Sequence, residues 1–223
     1  MSSLQSRLIF AQNQIDESAK ASRLSVRAPQ LIAVSKRQSE AKLRQAIALG
    51  QSEFGENQVQ EAKRHWGSIK DKTPNIRLHL IGPLQSNKVK EAVALFDVIH
   101  TIDREKIARA IKLECEKQRK NIPCLIQVNI GDEPQKTGIA PEALPDFLKL
   151  CRDDIGLPIC GLMAVPPEGK NPAPYFALMK KLADRHHLPE LSMGMSSDYK
   201  AAIRFGATYV RVGTALFGER EDP

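Results

Sequence analysis

The sequence predicts a (β/α)8 barrel, an α/β fold in which eight parallel strands alternate with helices, with an extra helix at the N-terminus. Apolar runs alternate with helical patterns from about residue 30 onwards, which implies parallel strands joined by helical crossovers. Eight such units can be counted, and they fit a compact form of this barrel. No Gly-x-Gly-x-x-Gly pattern follows the first apolar run, which disfavours the alternative, an open doubly wound sheet.

The predicted strands are short apolar runs of the length typical of buried strands. They lie at 31–36, 52–57, 77–82, 97–102, 124–130, 158–165, 190–195 and 208–213. Helical patterns follow them at 39–49, 57–71, 86–95, 103–120, 141–152, 173–187 and 196–205, and in a short helix that starts at Thr214. Residues 1–25 are predicted to form a helix outside the barrel, so that residues 1–223 make one domain.

The composition is that of a globular protein, with 42% hydrophobic and 26% charged residues. The net charge is +7, but the basic residues alternate with acidic ones along predicted helices, so nucleic-acid binding is not expected. The four cysteines form no CxxC pair, which indicates reduced thiols in a cytoplasmic protein. No apolar run approaches membrane-spanning length, and the first residues lack the order of a signal peptide.

The last two strands end in loops that suit a phosphate group. Ser196, Ser197 and Asp198 start one predicted helix, and Gly213 and Thr214 start the next. Helix N-termini and hydroxyl groups donate hydrogen bonds to phosphate, and barrels of this kind often bind phosphate after strands seven and eight. The alternative is that the serines and the threonine only cap the helices. The two loops together favour a phosphate site.

Lys36 directly follows the first predicted strand, where active-site residues of such barrels lie. Partial burial and nearby cations would lower its pKa and free the amine for Schiff-base chemistry. An aldehyde that carries a phosphate, such as pyridoxal 5′-phosphate, would satisfy Lys36 and the phosphate loops together. The alternative is a lysine in a solvated surface loop.

Arg211 lies in the eighth predicted strand and is expected to point into the barrel. Strand alternation puts Tyr209, Arg211 and Gly213 on one face and Val210 and Val212 on the other, towards the helices. A buried guanidinium needs a partner. A pyridine nitrogen or the phosphate would serve, and so would a barrel acid such as the glutamate at position 56.

Six segments of the chain together resemble one known family. In chain order they are LIAVSK, FGENQVQEA, HLIGPLQSNK, GLMAV, LSMGMSSDY and VRVGTALFGER. They closely resemble the pyridoxal-phosphate homeostasis proteins, single-domain relatives of the alanine racemase barrel, and the similarity runs from about residue 30 to residue 220.

The resemblance implies a set of cofactor contacts. Lys36 matches the family lysine that holds pyridoxal phosphate as an internal aldimine, and Arg211 matches an arginine near the ring nitrogen. The phosphate-binding segment is matched by Ser196, Ser197, Gly213 and Thr214. Asn57 and His79 fall in motifs that line the cofactor. Where the family often has a second lysine two residues after the first, this chain has Gln38, so no auxiliary amine is expected there.

Three further patterns could carry chemistry, and none of them is favoured. Lys136, after the fifth strand, could be a second amine that receives the cofactor, but a loop lysine beside Asp132 and Glu133 is favoured. Serine β-lactamases carry an S-x-x-K followed by a K-T-G motif. Here the K-T-G at 136–138 precedes the S-x-x-K at 197–200, so a β-lactamase is not predicted. His186 and His187 point about 100° apart on a helix, so no shared metal ion is predicted.

These observations favour a cofactor-binding homeostasis protein with little or no turnover. It would hold pyridoxal phosphate and deliver it to other enzymes that use this cofactor. A racemase needs a second base, which alanine racemase takes from a tyrosine of a second domain. The chain ends nine residues after Thr214, so that domain is not expected here. Its dimer contact is not expected either, and we expect a monomer. The alternatives are an amino-acid racemase and a cofactor-free phosphosugar isomerase or aldolase.

Overall fold

The computed structural model describes residues 3–22, 28–133, 135 and 137–218. Eight parallel strands pair in chain order and close into a barrel, because β1 also pairs with β8. The strands are β1 Gln30–Val34, β2 Glu53–Glu56, β3 Arg77–Leu80, β4 Val98–Ile102, β5 Cys124–Gln127, β6 Ile159–Met163, β7 Glu190–Met195 and β8 Tyr209–Val212. Each overlaps a predicted strand, and the predicted (β/α)8 fold is confirmed.

Helices surround this barrel. They are α1 Leu4–Lys20, α2 Glu40–Ala48, α3 Val59–Lys70, α4 Val89–Leu95, α5 Glu105–Gln118, α6 Leu144–Lys149, α7 Ala173–Arg185, α8 Tyr199–Arg204 and α9 Thr214–Phe217. Helix α1 starts after its N-cap Ser3, whose side chain accepts a hydrogen bond from the Ser6 N–H at 3.1 Å. It packs outside the barrel against α8 and α9, and part of its predicted extension to residue 25 lies outside the described residues.

Two predicted helices differ from the structure. The helix predicted at 141–152 is present but irregular: a 3-10 turn at Pro141–Ala143 leads into α6, and a wider π-type turn follows at Leu150–Asp154. Pro141 and Pro145 have no N–H group to give, which suits only the first turn of a helix. The helix predicted from residue 196 begins at Tyr199 instead.

The layer between strands and helices is apolar. Phe54, Trp66, Phe96 and Phe176 are all fully buried there, and the Phe54 and Trp66 ring centroids lie 4.6 Å apart. Val210 belongs to this layer, as the alternation in β8 predicts. Since apolar burial is the main favourable term in folding, this layer supplies most of the stabilisation. No helix in the described part of the chain is both long and apolar enough to cross a membrane.

The inside of the barrel, by contrast, contains several buried polar side chains. Buried side chains of β2, β3, β4, β7 and β8 meet there, namely Glu53, His79, His100, Ser192 and Arg211. Tyr209 packs among them, with its ring centroid 5.5 Å from those of His79 and His100. Barrels of this kind usually fill their interior with branched apolar side chains, so this content needs an explanation from hydrogen bonding.

Candidate functional site

A cavity of about 250 Å³ opens at the carboxyl ends of the strands. Six of the eight predicted cofactor-binding residues line it: Lys36, Asn57, Ser196, Arg211, Gly213 and Thr214. They come from the ends of β1, β2, β7 and β8, so closure of the barrel is what brings them together. Apolar side chains, including Val34, Ile81 and Met195, complete the wall.

Lys36 stands in a tight turn after β1. The Ser35 N–H donates to the Gly55 carbonyl at 3.0 Å and so extends the pairing of β1 with β2 by one residue. The Gln38 N–H then donates back to the Ser35 carbonyl at 3.1 Å. Ser35 is fully buried and Lys36 half-buried, which places the lysine at the rim of the cavity. The sequence-based alternative of a fully solvated loop lysine does not match this position.

The loop after β7 is shaped by Gly194 and Asp198. Gly194 has a φ of +91°, and a β-carbon there would lie 2.6 Å from the Ala202 Cβ, so only glycine fits between β7 and α8. The Met195 N–H donates to the Asp198 Oδ1 at 2.6 Å. Asp198, not a serine, precedes α8 as its N-cap residue. The alternative that Ser196 and Ser197 serve as helix caps is therefore wrong.

The two serines differ in position. Ser196 lines the cavity, whereas Ser197 is exposed and lies outside its lining. On the neighbouring loop, Gly213 precedes α9 and packs near Val34, and Thr214 is the first helical residue. Ser196, Gly213 and Thr214 all line the cavity, so the two hydroxyl groups and the first N–H groups of α9 are potential donors there.

Arg211 is buried and lines the cavity. Its Nη1 donates to the Ser192 Oγ at 2.6 Å, and its Nη2 donates to the Ala164 carbonyl at 2.9 Å. Burial lowers the pKa of its guanidinium to about 10, against the attraction of Asp198. Within the described residues no carboxylate forms a salt bridge with Arg211, and Glu56 accepts hydrogen bonds from other groups, so the alternative of an ion pair with Glu56 is wrong.

A chain of hydrogen bonds leads away from Arg211 through the barrel. The Ser192 Oγ lies 2.8 Å from the His100 Nδ1, and the His100 Nε2 lies 2.9 Å from the His79 Nδ1. The last hydrogen bond of this series joins the His79 Nε2 and the Glu53 Oε2, which lie 2.5 Å apart. His79, predicted to line the cofactor, thus lies beneath the cavity and reaches it only through three intervening hydrogen bonds.

The charge states along this chain follow from burial. Burial lowers the pKa of His79 and lowers that of His100 well below its usual value, with nearby cations adding to the effect on His100. Burial opposes ionisation of Glu53, but the hydrogen bond from His79 and the charge of Arg77 keep its pKa below the usual value. Two neutral imidazoles therefore separate a carboxylate from a guanidinium.

One direction of donation satisfies every group in the chain. Arg211 donates to Ser192, whose hydroxyl donates to the His100 Nδ1; the His100 Nε2–H donates to His79, and the His79 Nε2–H donates to Glu53. This assignment fixes both tautomers. Sequence reasoning missed Glu53 and Ser192 because neither stands at the carboxyl end of its strand or in a recognisable motif. Only strand alternation could have indicated that they point inward.

Other predicted residues take different places. Lys136 lies outside the described residues. Asn57 lines the cavity of about 250 Å³ and also a larger one of about 570 Å³, with Gln85, Lys88 and Arg104. Among the described residues, one group of side chains could hold a metal ion, namely Glu56, Glu61 and His65. His186 and His187 do not belong to it.

Comparisons with known proteins define the class first. Residues 13–221 match the family described as the alanine racemase N-terminal domain. Solved structures agree: PipY of Synechococcus elongatus, determined without and with pyridoxal phosphate bound, superimposes with TM-scores of 0.86 and 0.84 at 36% and 35% identity. Each alignment covers 97% of this chain and 100% of the other. The fold is that of the alanine racemase N-terminal barrel.

Curated relatives then narrow the class. A pyridoxal phosphate homeostasis protein of Pseudomonas aeruginosa is 39% identical over 229 residues, covering 99% of this chain and 97% of the relative. One from Escherichia coli is 38% identical over 202 residues, or 86% of each chain. The chain therefore belongs to the pyridoxal phosphate homeostasis protein family, as its sequence motifs predict.

Proposed function

We propose that this protein binds pyridoxal 5′-phosphate in the cavity at the barrel mouth, holds it covalently on Lys36, and releases it to enzymes that depend on this cofactor. The observation that carries the proposal is the convergence of an amine, hydroxyl donors and a buried guanidinium in one cavity. The relative PipY has been solved with pyridoxal phosphate bound, at 35% identity over nearly the whole chain.

The residues present fit such a ligand. The cofactor supplies an aldehyde carbon, which condenses with the Lys36 amine and releases water. Ser196, Gly213 and Thr214 offer hydroxyl and backbone N–H donors for the phosphate. Arg211 has five N–H groups, of which described acceptors use two, and it can donate to a ring nitrogen. Asn57 completes the wall of the cavity. His79 does not line the cavity and would act on the ligand only through Arg211. Ser197 also lies outside the lining, on the same loop as Ser196.

The same cavity supports a carrier more than a racemase. Racemisation needs a second acid–base group opposite the lysine. None of the described residues that line the cavity is a tyrosine, and Tyr199 and Tyr209 are buried elsewhere. An arginine beside the ring nitrogen also disfavours its protonation, which makes the cofactor a weaker electron sink. We therefore propose a homeostasis protein with little or no turnover; that it is a monomer stays a prediction.

The cysteines support a reducing, cytoplasmic location for this function. Cys115, Cys124, Cys151 and Cys160 are free thiols. Burial raises the pKa of Cys151 to about 12 and that of Cys160 to about 11, so these thiols stay protonated and unreactive at neutral pH.

An absorption titration tests the proposal. Wild-type protein mixed with pyridoxal phosphate is expected to gain a near-visible band, and borohydride is expected to fix the cofactor on Lys36, as located by peptide mass. Lys36→Ala should give neither signal, because the Schiff base needs that amine. A colourless wild type that takes up no cofactor would contradict the proposal and favour a phosphosugar isomerase or aldolase.

Incubation of the loaded protein with amino acids separates carrier from racemase. The carrier is expected to leave the enantiomers unchanged and to activate an added cofactor-free enzyme by transfer of pyridoxal phosphate. Turnover of an amino acid by wild type but not by Lys36→Ala would instead establish an enzyme.

A further inference from the structure

Both neighbours of Lys36 are hydrogen-bonded to carboxylates of the next β/α unit. The Ser35 Oγ donates to the Glu56 Oε1 at 2.6 Å, and the Arg37 N–H donates to the Glu61 Oε1. Glu56 is the last residue of β2, and Glu61 lies in the first turn of α3. The cofactor lysine is thus bracketed by two acidic residues that do not line its cavity.

Glu56 is well fixed for this role. It is fully buried, and its Oε1 also accepts a hydrogen bond from the Trp66 Nε1–H at 3.0 Å. The His65 Nδ1 lies 3.6 Å from the same oxygen, and Glu56 raises the pKa of that imidazole, which favours its protonated form. A buried carboxylate is stable only with such partners.

The turn that carries Lys36 needs to be held. Arg37 has a φ of +58°, in the left-handed region, where a residue with a β-carbon is disfavoured by about 1 kcal/mol or more. Such a conformation persists only where surrounding contacts fix it. The bond from the Arg37 N–H to Glu61 is a contact of this kind, and it acts one residue beyond the lysine.

We propose that Glu61 and Glu56 form a clamp that positions Lys36, acting through the Arg37 N–H and the Ser35 hydroxyl. The proposal rests on the function given above. The clamp holds the amine at the rim of the cavity, so that the aldehyde meets it without a search over loop conformations. Glu61 and Glu56 are positioning residues: neither lines the cavity, and each acts through a neighbour of the lysine.

The test uses Glu61→Gln, because Glu61 is only half-buried and the amide keeps its shape. Two ligands are titrated: pyridoxal 5′-phosphate, which needs the lysine, and pyridoxine 5′-phosphate, which has the ring and phosphate but no aldehyde. We expect about tenfold weaker retention of pyridoxal phosphate, since a hydrogen bond to a charged acceptor is weakened. Affinity for pyridoxine phosphate should stay unchanged, which a general disruption of the cavity would not allow.

Two further variants serve as a control and as a second test of the clamp. Glu40→Gln makes the same chemical change in the first turn of α2, where Glu40 pairs with Arg44 on the surface, and should bind both ligands as wild type does. Ser35→Ala removes the other arm of the clamp and should also weaken pyridoxal phosphate selectively. Thermal unfolding of each variant checks the fold.

The outcomes are distinct. If wild type forms the Schiff base and neither Glu61→Gln nor Ser35→Ala weakens it, the clamp is overturned while the proposed function stands. Equal loss of both ligands also overturns it. A divalent ion held by Glu56, Glu61 and His65, whose ligand atoms lie within 4.8 Å of one another, would make retention sensitive to EDTA; such sensitivity would replace the clamp by a metal site. Wild type without any band removes the proposed function and the clamp together.

Discussion

The two layers of this barrel, outside and inside the sheet, differ in composition and in task. Outside, between strands and helices, large apolar side chains such as Phe54, Trp66 and Phe176 are fully buried. Inside, charged and polar groups from Glu53 to Arg211 form one hydrogen-bonded chain. The outer face of the sheet therefore mainly stabilises the fold, and the inner face carries the polar groups that lead to the cavity. Substitutions in the outer layer should mainly change the free energy of unfolding, and Arg211 at the cavity should mainly affect cofactor retention.

The largest effect on stability is expected in the outer layer. Phe176→Ala should lower the free energy of unfolding by about 3–5 kcal/mol, because it leaves a cavity in a fully buried position of α7. Urea unfolding followed by circular dichroism measures this. Phe10→Ala, at a side chain with 62% exposure, is the matched control and should change little. Similar losses at both positions would contradict the assignment of stability to the outer layer.

Acid should affect the inner layer next. His79 and His100 have pKa values below their ordinary 6.5 in the folded protein, so below that pH the unfolded chain binds more protons than the folded one. The free energy of unfolding is therefore expected to fall as pH drops below 6.5, by up to about 1.4 kcal/mol per pH unit for each histidine. Urea unfolding between pH 7 and pH 5 tests this expectation.

His100→Asn identifies the source of that slope. It should flatten the decline, because one of the two neutral imidazoles is gone, whereas His187→Gln at an exposed position should not. His65 acts in the opposite sense: its raised pKa gives stability that is present at low pH and lost as pH rises above 6.5 through the raised value. A slope that His100→Asn leaves intact would contradict neutral imidazoles inside the barrel.

The smallest change in stability is expected at Arg211, the residue of the hydrogen-bonded series that lines the cavity. Arg211→Met should alter the free energy of unfolding by less than about 1 kcal/mol, because a buried cation with neutral partners is replaced by an apolar group of similar length. Retention of pyridoxal phosphate should nevertheless fall about tenfold, since a donor to the ligand is lost. A strongly destabilised Arg211→Met with unchanged retention would reverse the division between the layers.

The sequence predicted much of the candidate site because barrel sites form at strand ends. Lys36, Asn57 and Thr214 each follow or end a periodic apolar run, and closure of the sheet places them around one cavity. Ser196 and Ser197 could not be separated in this way: both precede the same helix, and only the turn fixed by Asp198 decides that one lines the cavity. His79 was placed by its motif, although its side chain turns beneath the cavity.

The sequence by itself determined the eight-fold alternation of strand and helix and, within β8, which side chains face the helices and which face inward. Periodicity suffices for both, because each is a local property of the backbone. Only the tertiary structure decided that Glu53, His79, His100, Ser192 and Arg211 form one chain. They belong to five strands, and the bond between His100 and Ser192 joins residues 92 positions apart across the barrel interior, so the contact exists only once the sheet has closed.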